Sequence, residues 1–189
     1  TSTEFRRNEP LWYYVPLLLG ACLPWSILFP PAAWLAWRHR GRLQPLDRLT
    51  LVWAVGVVFL FTLSQSKQPA YVLPACVALA MGVARLLEAG LARPAGVAAR
   101  AAWGAFGIFA VPIGVAAVAL GAVTLRPDLL EWLPPMKAPP SRFQDIFGSL
   151  GLVCAAYCAA LVVSRWRGRL GPAIAAHALL LPALLGAGA

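Results

Sequence analysis

Charge is what this 189-residue chain lacks most: 12% of its residues are charged, against about 25% in ordinary soluble domains. Acidic residues are scarcest, seven against sixteen basic ones, and there are two histidines and two lysines. With 60% hydrophobic residues and a mean hydropathy of +0.72, the chain lacks the polar residues to clothe a soluble fold of this size. Its apolar segments show no period-2 alternation, which excludes a closed membrane barrel. No glycine-rich nucleotide loop or hydrolase elbow is present. No two carboxylates are spaced for general acid–base work. No internal repeat supports an inverted-repeat transporter. No basic stripe is interleaved with exposed aromatics, so nucleic acid is a poor partner.

The apolar residues are grouped in blocks, several of which reach the roughly 20 residues needed to cross a bilayer. Six spans are expected, at about Leu11–Trp37, Leu49–Leu63, Pro69–Leu87, Ala101–Leu125, Ile146–Ser164 and Leu170–Gly188. The fold class is therefore an all-α polytopic bundle, a single transmembrane domain over residues 1–189 with a proline-rich outside loop at 126–145. Pro16, Pro24, Pro30 and Pro31 predict a kinked first span. Pro172 and Pro182 make the last span the weakest of the six.

Basic residues in short loops set orientation. One side gathers ten arginines, among them Arg38, Arg85, Arg100 and Arg165, with two carboxylates. The other holds Arg6, Arg7, Lys67, Arg126, Lys137 and Arg142 with five carboxylates. The arginine-rich side is expected in the cytoplasm, which places both termini and Lys67 outside. The chain starts at Thr1 and finishes within an apolar run, so a piece of a larger protein is expected.

Most chemistry-bearing residues invite a plain reading. Cys22, Cys76, Cys154 and Cys158 all fall inside expected spans and form no disulfide framework. Cys154 and Cys158 share a helix face, yet no further ligand is in reach, so they read as buried small residues and no metal is expected. His177 has no acidic or thiol neighbour in sequence and reads as helix packing. Gly107, Gly114 and Gly121, and likewise Gly151, Ala155 and Ala159, form small-residue seams that let helices approach closely.

The exception is the polar break between the second and third spans, Leu63-Ser64-Gln65-Ser66-Lys67-Gln68-Pro69-Ala70-Tyr71-Val72-Leu73-Pro74. Lys67, Tyr71, Tyr13, Tyr14 and Arg7 (more weakly Arg6) can share one membrane depth there. Cations beside phenolic hydroxyls suit a lipid-borne phosphate, through charge-assisted hydrogen bonds. The plainer alternative is a lysine snorkelling to the headgroups beside an ordinary aromatic belt.

Two stretches resemble a known family. Glu9-Pro10-Leu11-Trp12-Tyr13-Tyr14-Val15-Pro16-Leu17-Leu18-Leu19-Gly20, followed by Leu23-Pro24-Trp25, looks like the approach to a late span of the aminoarabinose–lipid A transferases. These belong with the dolichyl-phosphate-mannose–protein mannosyltransferase-like enzymes. The Ser64–Pro74 turn is similar to their SxSKxPxYxLP pattern, with Gln68 in place of the usual leucine and Ala70 in place of threonine. The matches cover about residues 9–87. The resemblance implies the C-terminal membrane half of a GT-C glycosyltransferase in the bacterial inner membrane. Such an enzyme takes a sugar from a polyprenyl-phosphate carrier, here expected to be undecaprenyl phosphate, to a lipid or protein acceptor such as lipid A. It implies a carrier-linked sugar as donor and no certain cofactor. It also implies a partner N-terminal half bearing the catalytic acids, which leaves the catalytic residues of this piece unassigned. A transporter or flippase half, or a non-catalytic assembly subunit, is the alternative.

Overall fold

A computed structural model describes residues 10–64, 67–126 and 140–187. Among them there are seven α-helices and no strand: α1 (Tyr14–Ala21), α2 (Phe29–Arg38), α3 (Pro45–Leu63), α4 (Leu73–Ala92), α5 (Val97–Leu125), α6 (Pro140–Trp166) and α7 (Leu170–Ala187). The all-α class and the long apolar helices agree with the sequence reading, with α3 to α7 each long and apolar enough to cross a membrane. The chain divides into two compact units, residues 1–102 and 103–189, with the boundary inside α5.

Proline is chiefly a helix starter here. Pro45, Pro74 and the Pro30–Pro31 pair stand in the first turns of α3, α4 and α2, where a missing N–H costs nothing. Pro172 likewise falls in the first turn of α7, so the last span is an intact helix despite its two prolines. Only Pro112 and Pro182 lie inside described helices. Helices also run past the apolar blocks that announce them. α3 begins four residues before Leu49, because Gln44 and Asp47 form a capping box that satisfies its first amides.

In the first unit, the expected kinked span is a broken one. Leu11–Ala21 and Trp25–Arg38 meet at 112°, with Leu23 and Pro24 in the break. Its two ends nevertheless lie at opposite ends of α3. The Pro10 carbonyl accepts a bond from Lys67, four residues beyond α3. Arg38 precedes the α3 N-cap, Gln44, by six residues. The pair is thus a sharply broken segment, bent by 112°, whose start is tied to the Lys67 end of α3 and whose far end leads into the α3 N-cap. α3 and α4 form an antiparallel hairpin. At the end away from Lys67, the Arg85 guanidinium donates to Asp47 at 2.8 Å, Glu88 at 3.0 Å and Gln44 at 3.0 Å. The thiols of Cys22 and Cys76 meet between the break and α4.

In the second unit, α6 and α7 form a hairpin fastened at three depths. Its turn is a Schellman cap: the Gly168 amide donates to the Arg165 carbonyl and the Arg169 amide to the Ser164 carbonyl. Gly168 holds φ +65°, a region open to glycine and costly for a side chain. At mid-depth Tyr157 and His177 share a hydrogen bond of 2.9 Å. At the far end the Ser149 hydroxyl, within hydrogen-bond reach of both Ile146 O and Ala187 O, closes the hairpin at 2.8 Å to the latter. Within residues 103–189, α5 packs on α6 through part of its glycine seam. A Cβ on Gly151 would meet Leu120 Cβ at 3.2 Å and the Gly121 amide at 3.5 Å, and one on Gly114 would meet Cys158 Sγ at 3.7 Å. An added Cβ on Gly107 or Gly121 has nothing within 4 Å, but the Gly121 backbone faces Gly151 while no glycine of α6 reaches Gly107, so the expected seam closes along the second half of α5.

Candidate functional site

The turn after α3 brings four of the five expected residues together. Ser64 ends α3 in extended backbone, and a single 3₁₀ turn, Pro69–Val72, leads into α4. Tyr71 thereby lies over the end of α3, its ring stacked on Phe61 with centroids 4.7 Å apart. Tyr14 enters from α1 and is 1% exposed, in a core with Leu18, Val72 and Ala75 against which Tyr13 and Tyr71 pack. The Tyr13 and Tyr14 rings meet edge to face at 5.1 Å, a favoured aromatic geometry. Arg7, the fifth residue, lies outside the described residues, as does the weaker candidate Arg6.

Lys67 is 5% exposed. Its ammonium turns inward and donates to the Pro10 carbonyl at 3.2 Å, clasping the start of the first crossing to the turn after the second. The snorkelling alternative requires a lysine reaching outward, and the aromatic-belt alternative requires exposed rings. Lys67 and Tyr14 have neither property, whereas Tyr13 and Tyr71 are half-buried. A buried ammonium is costly unless its protons are bonded, and the Pro10 carbonyl is one of the groups that bond this one.

Tyr14 carries a second unusual group. The Tyr14 hydroxyl is buried without a hydrogen-bond partner. The backbone N–H of Gln68 faces it but falls short of hydrogen-bond geometry. A buried hydroxyl left unpaired costs about 1–3 kcal/mol, so this position carries a cost that packing alone does not demand. A buried ammonium at the turn and a buried phenol from α1 are both donors of the kind an anion accepts from.

Sequence reasoning missed the Pro10 carbonyl, which as a backbone group leaves no trace in a list of side chains. It also missed the partner of His177. That ring is fully buried, bonded to Tyr157 and enclosed by Phe106 and Phe109 at 4.9 and 5.4 Å. Twenty residues of separation hid the pair, and it holds α6 to α7 as the packing reading implies.

No family model matches the chain, and no solved structure matches it. Curated proteins do. Over 78 residues it is 41% identical to the undecaprenyl phosphate-alpha-4-amino-4-deoxy-L-arabinose arabinosyl transferase of Pseudomonas aeruginosa (strain UCBPP-PA14), a stretch that is 41% of this chain and 14% of that protein. It is 43% identical over 80 residues to a transferase of that name, numbered 2, from Sodalis glossinidius, covering 42% of this chain and 14% of the relative. It is 35% identical over 84 residues to that of an Enterobacter species, covering 44% and 15%. The resemblance read from the two motifs thus holds over part of the chain, and that part answers to about a seventh of each relative's length.

Proposed function

We propose that this chain is a membrane portion of a glycosyltransferase that takes a sugar from a polyprenyl-phosphate carrier at the outer face of the bacterial inner membrane. In this reading the Lys67 turn receives the carrier phosphate. The observations that carry it are the buried Lys67 ammonium turned inward at this turn and the buried Tyr14 hydroxyl without a hydrogen-bond partner, with Tyr13 and Tyr71 packed on the Tyr14 core. The names of the relatives supply the chemical class. They are named arabinosyl transferases of undecaprenyl phosphate-linked aminoarabinose, so a carrier of that class is the reading for the whole protein, with lipid A the acceptor that the motif resemblance implies.

In transfer, the bond from the sugar's anomeric carbon to the carrier phosphate breaks as a bond to an acceptor oxygen forms. The phosphate leaves with both electrons and gains negative charge. Donors fixed where that charge develops favour the transition state over the ground state. Lys67 would exchange the Pro10 carbonyl for a phosphate oxygen, trading a neutral acceptor for an anionic one, and Tyr14 would gain its missing partner. Tyr71 and Tyr13 hold this corner in shape, and Arg7 adds a cation from the segment before Pro10. The group that activates the acceptor is not assigned to any residue of this chain.

Lys67→Ala in the full-length protein tests the reading. Hydrogen bonds to charged groups contribute about 1.5–3 kcal/mol, so carrier-dependent transfer should fall at least roughly tenfold, with Lys67→Arg retaining part of it. If Lys67 is only a clasp, Lys67→Ala lowers thermal stability while kcat/KM for the carrier stays as in the parent. That result removes the lysine from the chemistry.

A further inference from the structure

A second site lies in residues 103–189, independent of the Lys67 turn. We infer that the groove between α5 and α6 seats one anionic phospholipid, its acyl chain along Gly107, Ala110 and Val111 and its headgroup phosphate at Arg165. The groove is open along one side and offers about 820 Å³, a volume of the order of ordinary ligand sites, roughly 300–1,000 Å³. It forms where the glycine seam fails to close. α5 and α6 touch at Gly151 and Gly114 but not at Gly107, and Pro112 separates the two halves of α5.

The lining is apolar along its length, with Trp103, Phe106 and Leu161 among its walls. One end is not apolar. Arg165 stands there with its guanidinium 5.6 Å from the Trp103 ring centre, and Trp166, Arg167 and Arg169 are exposed beside it.

Charge decides the occupant. No aspartate or glutamate occurs from residue 146 to 189, nor on α5 from 103 to 125. Asp145 is twenty residues from Arg165 on the same helix, about 30 Å away. Three arginines clustered at a membrane interface without a nearby carboxylate in their own helices call for a lipid counter-anion, and the cleft below Arg165 accepts the tail of the lipid that brings it. A zwitterionic lipid carries its own ammonium and compensates nothing. The basic-residue distribution assigns this end to the cytoplasmic leaflet, where anionic lipids concentrate.

The test uses the full-length protein in phosphatidylethanolamine nanodiscs doped with a diazirine-tailed phosphatidylglycerol or a diazirine-tailed phosphatidylcholine. The inference expects phosphatidylglycerol to label segments 103–111 and 158–166 at least about fivefold more than phosphatidylcholine, the preference one basic residue confers at a membrane surface. Arg165→Gln should abolish the preference and Arg165→Lys should keep it. Gly107→Leu, at a position where an added Cβ has nothing within 4 Å, should remove labelling by both lipids with unchanged thermal stability. Equal labelling by the two lipids would mean bulk lipid only and would overturn the inference. So would protection from both by a packed helix, selective labelling by a diazirine polyprenyl phosphate, or undiminished labelling in Gly107→Leu.

Discussion

Replacing Tyr14 with phenylalanine separates packing from chemistry in a single variant, because the two effects have opposite signs. The ring is 1% exposed and its hydroxyl has no hydrogen-bond partner. Phenylalanine keeps the ring and its edge-to-face contact with Tyr13, 5.1 Å between centres, and removes only the orphan oxygen. An unpaired buried hydroxyl costs about 1–3 kcal/mol, so the variant should be more stable by about 1 kcal/mol at the lower end of that range. If the hydroxyl donates to a carrier phosphate, the same change removes a bond to a charged group. The loss is then about 1.5–3 kcal/mol, or roughly tenfold to a hundredfold in kcat/KM for the carrier. The assay pairs thermal unfolding of the purified full-length protein with transfer from a synthetic polyprenyl-phosphate sugar. A rise in stability with a fall in kcat/KM is the expected outcome, a trade found at sites kept for function. Raised stability with unchanged kcat/KM would make the hydroxyl a packing leftover, and lowered stability would show that it is bonded in the resting protein.

Two further predictions concern the helices of the second unit. Gly151→Leu drives a side chain against Leu120 Cβ, 3.2 Å from where its Cβ would sit, and should destabilise the protein by about 1–3 kcal/mol. Gly107→Leu should change stability little; thermal unfolding of both variants checks the contrast. A double-mutant cycle of Tyr157→Phe and His177→Leu should return a coupling of about 0.6 kcal/mol and no more than about 1.7, the average and maximum measured for interhelical hydrogen bonds in a membrane protein. Additive effects would show that the 2.9 Å bond contributes nothing beyond packing.

The long helices were legible in the sequence because the bilayer's thickness is written into apolar run length, and α3 to α7 each cover most or all of one of those runs, with α3, α5 and α6 starting four to six residues ahead of it. What hydropathy could not give was the 112° angle at Leu23–Pro24. Prolines announce a break, but its direction depends on what α1 and α2 pack against. Glycine spacing likewise announced a seam without saying where it would open. Gly107 and Gly151 look alike in sequence, yet one borders empty space and the other a neighbouring helix.

The candidate corner was legible in its side chains, since Lys67, Tyr71, Tyr13 and Tyr14 flank two adjoining crossings of like depth. Its depth of burial was not. A lysine at a membrane rim reads as outward-reaching until Pro10 is seen to hold it inward, and nothing in the residue types marks Tyr14 as the phenol without a partner.

The most direct measurement is a structure of the full-length protein with a polyprenyl monophosphate bound. The account predicts a phosphate oxygen roughly 2.7–2.9 Å from the Lys67 ammonium, the length of a charge-assisted bond, with the Pro10 carbonyl released and the Tyr14 hydroxyl turned to the same phosphate. A phosphate seated elsewhere, with Lys67 still on Pro10, would contradict it.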